Sequence, residues 1–459
     1  MQLPEKLLRS LEGIEGFDKE TFERVHESGE QVTSIRTNPL KSSDLRREAS
    51  VEHSFHDSRL TSHERVPWSS SGYYLSQRPS FTFDPLFHAG CYYVQEASSM
   101  FLEQALEQTV DLLQPLKILD LSAAPGGKST HIQSLISKES LLVSNEVIRS
   151  RSNILKDNII KWGSDNVVVT NNDPKDFSRL ENYFDVIVVD APCSGSGLFR
   201  RDEGAIGEWS ENNVQLCSRR QQRILADVLP ALKKEGILIY STCSYSKEED
   251  EEIVEWMKKK LSVVNCQLSI DDSWGIVKSE RGYRFWPDQV KGEGFFIACL
   301  KKTDGQEEKS TGIKRKMELL NKMEMEIVKA WVKETDHELV RFENTVYAVP
   351  QKLLDEINRL SNSVHVIYFG TMIGELVREK LIPAHAFAMS DLVSENVERV
   401  ELNYDRAIIY LKKKDLKETG TGRGWKLITY QNHPLGWINV LPNRINNYYP
   451  KELRILKDI

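Results

Sequence analysis

A doubly wound α/β sheet is the fold class that this sequence predicts, and three observations predict it. Short runs of aliphatic and β-branched residues recur at 117–121, 141–145, 167–170, 186–189 and 237–240, and read as strands buried on both faces. Runs of helical spacing at 128–137, 150–162 and 213–232 lie between them, the alternation that gives a parallel sheet covered by helices. The third observation is where the strands stop. The first ends in a glycine-rich turn, the next three at Glu146, Asp173 and Asp190, and the fifth at Thr242-Cys243. Open α/β sheets bind their ligands at that edge.

The remaining elements follow in chain order. Residues 1 to about 30 carry Leu7, Leu8, Leu11, Ile14 and Phe17, then Phe22 to Val25, at helical spacing. Residues 34–41 read as a short strand ending in a turn. The polar stretch after it holds His53, His56 and His63 without ligand partners at helical spacing, and reads as loop. Residues 90–100 lead into a helix running to about residue 108. In helix 213–232, Leu216, Ile224, Val228 and Leu232 are expected to share one face. A further helix, 247–260, is acidic at its start and basic at its end, as the macrodipole prefers. A last strand, 294–300, follows a loop containing Trp286-Pro287, and the polar run 303–311 marks a linker and domain boundary. Beyond it lies a smaller α/β region, where 424–430 and 435–440 alternate like strands of a small barrel. Lys412, Lys413, Lys414 and Arg423 sit beside the aromatics of those strands. Such interleaving suits a nucleic-acid surface, and it equally suits a barrel core with a charged exterior.

Composition bounds the function classes. At 459 residues the chain has room for about three domains. No apolar run reaches the roughly 18 residues needed to cross a membrane, and the N-terminus lacks the regions of a signal peptide. The expected location is the cytoplasm. Six cysteines at irregular spacing form no CxxC pair, which argues against zinc and against a disulfide framework, so no metal is expected. The net charge is −7, yet residues 411–459 hold ten Lys or Arg against four Asp or Glu. A basic C-terminal segment on an acidic body is compatible with RNA binding through one face.

Two readings compete for the turn Ser122-Ala123-Ala124-Pro125-Gly126-Gly127-Lys128. Gly127-Lys128-Ser129 matches the tail of a phosphate-binding loop, but that motif needs glycine where Ser122 stands. Pro125 also removes a backbone donor. S-adenosyl-L-methionine suits the turn better. Small residues admit its methionine end, and the N–H groups of a helix start receive its carboxylate. Glu146 then stands where an acid takes ribose hydroxyls, Asp173 where one accepts from the adenine amino group, and Asp190 ends the fourth strand. NAD follows a similar plan, but its G-x-G-x-x-G fingerprint is absent.

The thiols add the chemistry. Asp190-Ala191-Pro192-Cys193-Ser194-Gly195 follows one apolar strand, and Ser241-Thr242-Cys243-Ser244 follows another. A lone cysteine there reads as a small buried hydrophobe. Two thiols at two strand ends of one sheet make a catalytic hypothesis.

Ala123 to Lys128, Asp190 to Gly195, Ser241 to Ser244 and Gly292-Glu293-Gly294-Phe295-Phe296 together resemble the motifs of the RNA 5-methylcytosine methyltransferases, the family of NOL1, NOP2, Sun and bacterial Fmu proteins. Residues 34–41 and 93–100 resemble its N-terminal motifs. Residues 383–389 and 436–454 resemble the C-terminal region of the RsmF (YebU) branch, which ends in a PUA-like RNA-binding domain and modifies small-subunit 16S ribosomal RNA. Ser122 departs from the family, which often has Cys there. The resemblance implies a Rossmann-like class I S-adenosylmethionine-dependent methyltransferase domain over 86–303. A small N-terminal α/β domain precedes it over 1–85. A connecting α/β domain over 311–385 and a PUA-like domain over 386–459 follow it. It also implies that Cys243 is the nucleophile, that Cys193 assists release, and that residues 122–128, Glu146, Asp173 and Asp190 contact the cofactor, with Arg151 a further candidate.

The reaction itself calls for such a set. Carbon 5 of cytosine is a poor nucleophile until a thiolate adds to carbon 6. Asp190 could then hold the ring nitrogen, and Cys193 could remove the carbon 5 proton. The expected partner is small-subunit ribosomal RNA, alone or in an assembled 30S subunit, bound by a monomer. A tRNA cytosine methyltransferase shares the catalytic motifs, and only the C-terminal resemblance favours rRNA. A catalytically silent RNA-binding assembly factor is disfavoured by the intact thiols and cofactor motifs.

Overall fold

The structure, a computed structural model, describes residues 3–41, 64–305, 316–416 and 422–457. His53, His56 and His63 lie outside the described residues, as does most of the expected linker. Ten strands build the central sheet: β1 (Lys117–Asp120), β2 (Leu141–Asn145), β3 (Val167–Thr170), β4 (Phe184–Asp190), β5 (Leu232–Thr242), β6 (Val263–Cys266), β7 (Val277–Lys278), β8 (Tyr283–Phe285), β9 (Phe295–Lys302) and β10 (Val366–Phe369). Their order is β7-β8-β9-β5-β4-β1-β2-β3-β10, with β6 on β9. Strands β1 to β5 pair in parallel, and β9 and β10 run antiparallel to β5 and β3. The direction of winding reverses between β1 and β4, which makes their carboxyl ends the switch point where such sheets bind ligands.

Four helices cover the sheet: α1 (Gly127–Leu135), α2 (Arg149–Trp162), α3 (Glu211–Val228) and α4 (Glu251–Lys260). Alternate residues of each strand serve opposite faces. Ile118, Leu142, Val186 and Ile237 pack with Ile132 of α1 and Leu155 and Ile159 of α2. Leu119, Val143, Ile187 and Leu238 pack with Ile224 and Val228 of α3 and Ile253 and Met257 of α4. The fold is Rossmann-like, with helices on both faces.

Several sequence expectations change. The N-terminal helix is two helices, Glu5–Leu11 and Lys19–Glu27, separated by Gly13 and Gly16 at φ +80° and +81°. A Cβ on Gly16 would meet Trp286 Nε1 at 2.9 Å, so the chain can pass there only without a side chain. Leu216 is exposed, and α3 buries Val214, Cys217, Gln221, Ile224, Leu225 and Val228 instead. Leu232 belongs to β5. The helix expected from 247 begins at Glu251. The chain before 108 first makes a strand, Tyr92–Val94, which pairs with Thr33–Thr37 in a four-stranded N-terminal sheet.

The segment expected as a connecting domain enters the central sheet. Its strand β10 pairs with β3, and Tyr347, Val349, Ile357 and Phe369 join the core beneath α3 and α4. It also forms a five-stranded antiparallel sheet from Glu318–Leu319 to Lys380–Pro383. The last module is a four-stranded sheet of Arg399–Glu401, Gly424–Tyr430, His433–Leu441 and Arg444–Asn447. Its Ile408, Leu411, Ile428 and Leu435 share one apolar core with Ile35, Leu75 and Tyr92 of the N-terminal sheet and Leu86 of the short helix Pro85–His88. Among the described residues no helix is long and apolar enough to cross a membrane.

Candidate active site

The strand register brings the two thiols together. Strand β4 lies beside β5 with Asp190 opposite Ser241, so Pro-Cys and Thr-Cys leave the same sheet edge on neighbouring strands. Cys193 Sγ and Cys243 Sγ are 3.0 Å apart, and both residues are half-buried. The Gly197 N–H donates to the Cys243 carbonyl at 2.8 Å. A Cβ on Gly197 would lie 2.8 Å from that oxygen and 2.5 Å from the Gly294 carbonyl. Only glycine fits between the two motifs. The Cys193 thiol is held well above its ordinary pKa, first by its hydrogen bond with Cys243, then by burial and by the Cys243 and Glu249 charges. It therefore keeps its proton beside Cys243.

Asp190 ends β4 at the same sheet edge. Its Oδ1 accepts from Ser241 Oγ at 2.8 Å, and its Oδ2 pairs with Lys128 Nζ at 2.7 Å. Burial is the largest single influence on Lys128 and opposes its charge, but the charge and hydrogen bond of Asp190, with the Asp120 and Cys243 charges, together hold the ammonium above its ordinary pKa. Lys128 also lies 5.3 Å from the Phe295 ring centroid. The glycine turn, the Pro-Cys strand and the Gly-Phe-Phe strand thus meet at one side chain.

The turn itself is braced from α2. Arg151 Nη2 donates to the Ala124 carbonyl at 2.7 Å, and Asn158 Nδ2 to the Pro125 carbonyl at 2.9 Å. The Ala123 N–H is taken by Asn145. Gly126, at φ +118°, caps α1, and Gly127 opens it. Ser122 is partly exposed, whereas Ala123 and Ala124 are buried. Arg151 therefore holds the turn's shape and lies 3.5 Å from Glu146. Glu146 is buried, and its Oε1 accepts from the Ile148 N–H at 2.9 Å. Val147 and Ile148 beside it are exposed apolar residues at a strand end. Asp173 is placed much as Glu146 is, its Oδ1 accepting from the N–H two residues on, of Lys175, at 3.2 Å. It N-caps the short helix Pro174–Arg179 and lies 3.5 Å from Arg223, so its carboxylate already has partners within the chain.

Three acids that the sequence reading missed complete the site. Asp120 ends β1 fully buried. Its Oδ2 accepts from Ser129 Oγ at 2.6 Å, while Oδ1 is buried without a partner among the described residues. Burial pushes its pKa up to about 7. An orphaned carboxylate oxygen below a glycine turn suits the ammonium of an amino-acid cofactor. Glu249 is buried and accepts from the Ser194 N–H at 2.8 Å, Ser194 Oγ at 2.5 Å and Ser244 Oγ at 2.6 Å. Asp250 accepts from Thr242 Oγ1 at 2.5 Å and pairs with Arg284 at 3.0 Å. Their positions had been absorbed into the acidic start of a helix. The available signal was the doubled Cys-Ser of 193–194 and 243–244, which needs one shared acceptor.

The comparisons with known proteins bear on the family and the fold. The model of a family described as 16S rRNA methyltransferase RsmB/F matches residues 108–301. That of the N-terminal domain of 16S rRNA methyltransferase RsmF matches 3–97, and that of the methyltransferase RsmF PUA domain matches 397–455. Ribosomal RNA small subunit methyltransferase F of Aeromonas salmonicida (strain A449) is 31% identical over 414 residues, covering 85% of this chain and 85% of that protein. The protein of the same name from Psychromonas ingrahamii is 29% identical over 415 residues, covering 84% and 85%. Among solved structures, a methyltransferase homolog protein from Pyrococcus horikoshii is 27% identical with a TM-score of 0.52, covering 65% of this chain and 100% of that one. NSun6 from Pyrococcus horikoshii, 21% identical with a TM-score of 0.53 over 66% of this chain and 98% of its own, shares the fold. The chain belongs to the RsmF family of ribosomal RNA small subunit methyltransferases.

Proposed function

We propose that this chain uses S-adenosyl-L-methionine to methylate carbon 5 of cytosine in 16S ribosomal RNA, through a covalent bond from Cys243 to the base. The observation that carries the reading is the pair of sulfurs 3.0 Å apart at two strand ends, with Asp190 and Lys128 at the same edge. The names of the relatives supply the substrate, and membership of a class I methyltransferase family supplies the cofactor. The residues fit that cofactor. Asp120 Oδ1 would meet its ammonium, the start of α1 its carboxylate, Glu146 its ribose, and Val147 and Ile148 its adenine face. When bound, it supplies an electrophilic methyl group.

The chain's own groups do the rest. Cys243, with the Cys193 thiol donating to it, adds as thiolate to carbon 6, and the electron pair of the 5,6 double bond makes carbon 5 nucleophilic. Asp190, held by Ser241 and Lys128, takes the ring-nitrogen side of the base and stabilises positive charge there. The foremost cause that keeps Cys193 protonated is the Cys243 sulfur. That sulfur loses its charge once bonded to carbon, and Cys193 then gives its proton to solvent and ionises. As thiolate it removes the carbon 5 proton after methylation. The electron pair re-forms the 5,6 double bond, and the Cys243–carbon bond breaks. Unstacking the target base costs a few kcal/mol, which favours loops and single-stranded rRNA. The C-terminal module offers partly exposed Trp425 and Tyr448, with ring centroids 4.4 Å apart, and exposed Arg423 and Arg444 for RNA contact. All these groups come from one chain, so a monomer suffices, in the cytoplasm where the ribosome is made.

The test is Cys243→Ala. Methyl transfer to rRNA should vanish while the cofactor still binds with wild-type affinity, read by bisulfite sequencing and by calorimetry. Retained 5-methylcytosine formation would remove Cys243 from the reaction.

A further inference from the structure

Glu249 lies outside every motif discussed so far, yet it touches both cysteine turns. It accepts the N–H and hydroxyl of Ser194, the residue after Cys193, and the hydroxyl of Ser244, the residue after Cys243. Nothing else among the described side chains bonds both turns through one group in this way. The residues around it are equally committed. Tyr240 Oη donates to the Glu249 carbonyl at 2.5 Å, which fixes its backbone against β5. Next to it, Asp250 holds Thr242 and Arg284, and Arg284 Nη1 donates to the Tyr245 carbonyl at 3.1 Å. The Thr-Cys turn is therefore anchored on both sides of Cys243, whereas the Pro-Cys turn meets it through Glu249, through the Gly197 N–H, and through Ser196 Oγ, which accepts from the Tyr245 N–H at 2.9 Å. Glu249 is the acid that reaches the residue directly after each cysteine.

We propose that Glu249 is the positioning residue that locks the two cysteine turns together and so sets the spacing between the Cys193 and Cys243 sulfurs. The role rests on the covalent reading above, because that spacing matters to a reaction in which both sulfurs serve one base. A buried carboxylate is costly unless its lone pairs are filled. Three donors from two separate turns fill them here, so neither turn can shift without stranding the charge. After Cys243 and burial, the Glu249 charge also helps keep Cys193 protonated.

The spacing can be read without RNA. Hydrogen peroxide links two adjacent thiols: each sulfur gives up one electron and one proton, the sulfur–sulfur bond forms, and the peroxide is reduced to two waters. The full-length protein, treated with limiting peroxide and mapped by mass spectrometry, reports the rate of the Cys193–Cys243 bond directly. Glu249→Gln keeps an acceptor for the Ser194 N–H and offers donors to the two hydroxyls. Glu249→Asp keeps the charge but falls one carbon short, and Glu249→Ala removes the link. The glutamine variant should link at the wild-type rate or faster, since it keeps the span and removes a charge that holds the Cys193 proton, while the aspartate and alanine variants link about tenfold or more slowly with unchanged cofactor affinity. An aspartate or alanine variant linking within about threefold of wild type, or a glutamine variant as slow as alanine, overturns the proposal. If the alanine variant does not fold, the aspartate and glutamine variants decide alone. A wild-type protein that links quickly but never methylates cytosine would defeat the functional reading and leave the positioning role standing. Methylation with fast linking in the aspartate variant would do the reverse.

Discussion

At the scale of single residues, the two cysteines are chemically alike and are separated by their surroundings. Cys193 is the one whose proton is held, by its neighbour sulfur first and by burial second. That difference predicts opposite phenotypes. With Cys193→Ala the addition to carbon 6 can proceed, but nothing takes the carbon 5 proton, so protein and rRNA should accumulate as a covalent adduct retained on a denaturing gel. Turnover should fall by about 10²-fold or more, the usual worth of a positioned base. A Cys193→Ala protein that turns over without adduct would assign release to another group. Both thiols, Asp190 and Lys128 were legible in the sequence, because each sits at or just past the end of a strand with an unmistakable apolar run. Glu249 and Asp120 were not legible. Their roles come from which hydroxyls fold back onto them, and a row of acids such as Glu248 to Glu252 reads the same whether it caps a helix or lies buried. Asp173 also stands at the expected strand end, and its Oδ1 caps the helix that follows.

At the scale of elements, β1 to β4 were readable to within two residues, since burial on both faces leaves a continuous apolar signature, while β5 begins at Leu232, five residues before its expected start. Helix α3 was readable as a helix, with Ile224 and Val228 buried as expected, but the rest of its buried face was not, because Gln221 and Cys217 share it while Leu216 points away. Short strands such as β7, β8 and Tyr92–Val94 were also missed, being too brief for any period to show. Their partners come from distant sequence. One such partner sets how the N-terminal sheet docks. Arg36, on Thr33–Thr37, is fully buried and bonds Gln95 Oε1 at 2.9 Å, Ser134 Oγ at 3.0 Å, Thr130 Oγ1 at 2.6 Å and the Gly127 carbonyl at 3.3 Å. It also lies 4.6 Å from the Trp162 ring centroid. Three of these contacts, with Gly127, Thr130 and Ser134, fall on α1, the helix that opens at the glycine turn. Arg36→Met keeps the bulk and strands the acceptors, a loss of about 3–5 kcal/mol. The unfolding midpoint in urea should fall with an unchanged slope, and cofactor affinity should fall with it, because the start of α1 loses its brace. A variant with wild-type stability would show that water replaces the guanidinium at no cost.

At the scale of the whole molecule, the chain is tied back on itself. Strand β10 pairs with β3, and the core beneath α3 and α4 takes in Val340, Tyr347, Ile357 and Phe369. The C-terminal sheet in turn shares its core with the N-terminal one, with His88 Nδ1 3.1 Å from Tyr449 Oη. The polar run after residue 303 therefore marks a composition change without marking a point where the chain can be cut. A chain ending at residue 310 would lose β10, leave the edge of β3 open and uncover the core face of α3. Such an edge is a template for aggregation, so the truncated protein should precipitate instead of reporting on RNA affinity. The basic C-terminal face has to be tested by charge alone. Lys414, Arg423, Arg444 and Lys451 are all exposed, so replacing the four with glutamate leaves the shared cores intact. If that face contacts the rRNA backbone, affinity should fall steeply at low salt. The slope of log K against log salt should also flatten by up to about 0.7 for each lost contact to a single strand. The melting temperature should stay where it was. Equal affinity and equal slope in the substituted protein would place the RNA on another face, and the N-terminal sheet that shares this core would be the next surface to reverse.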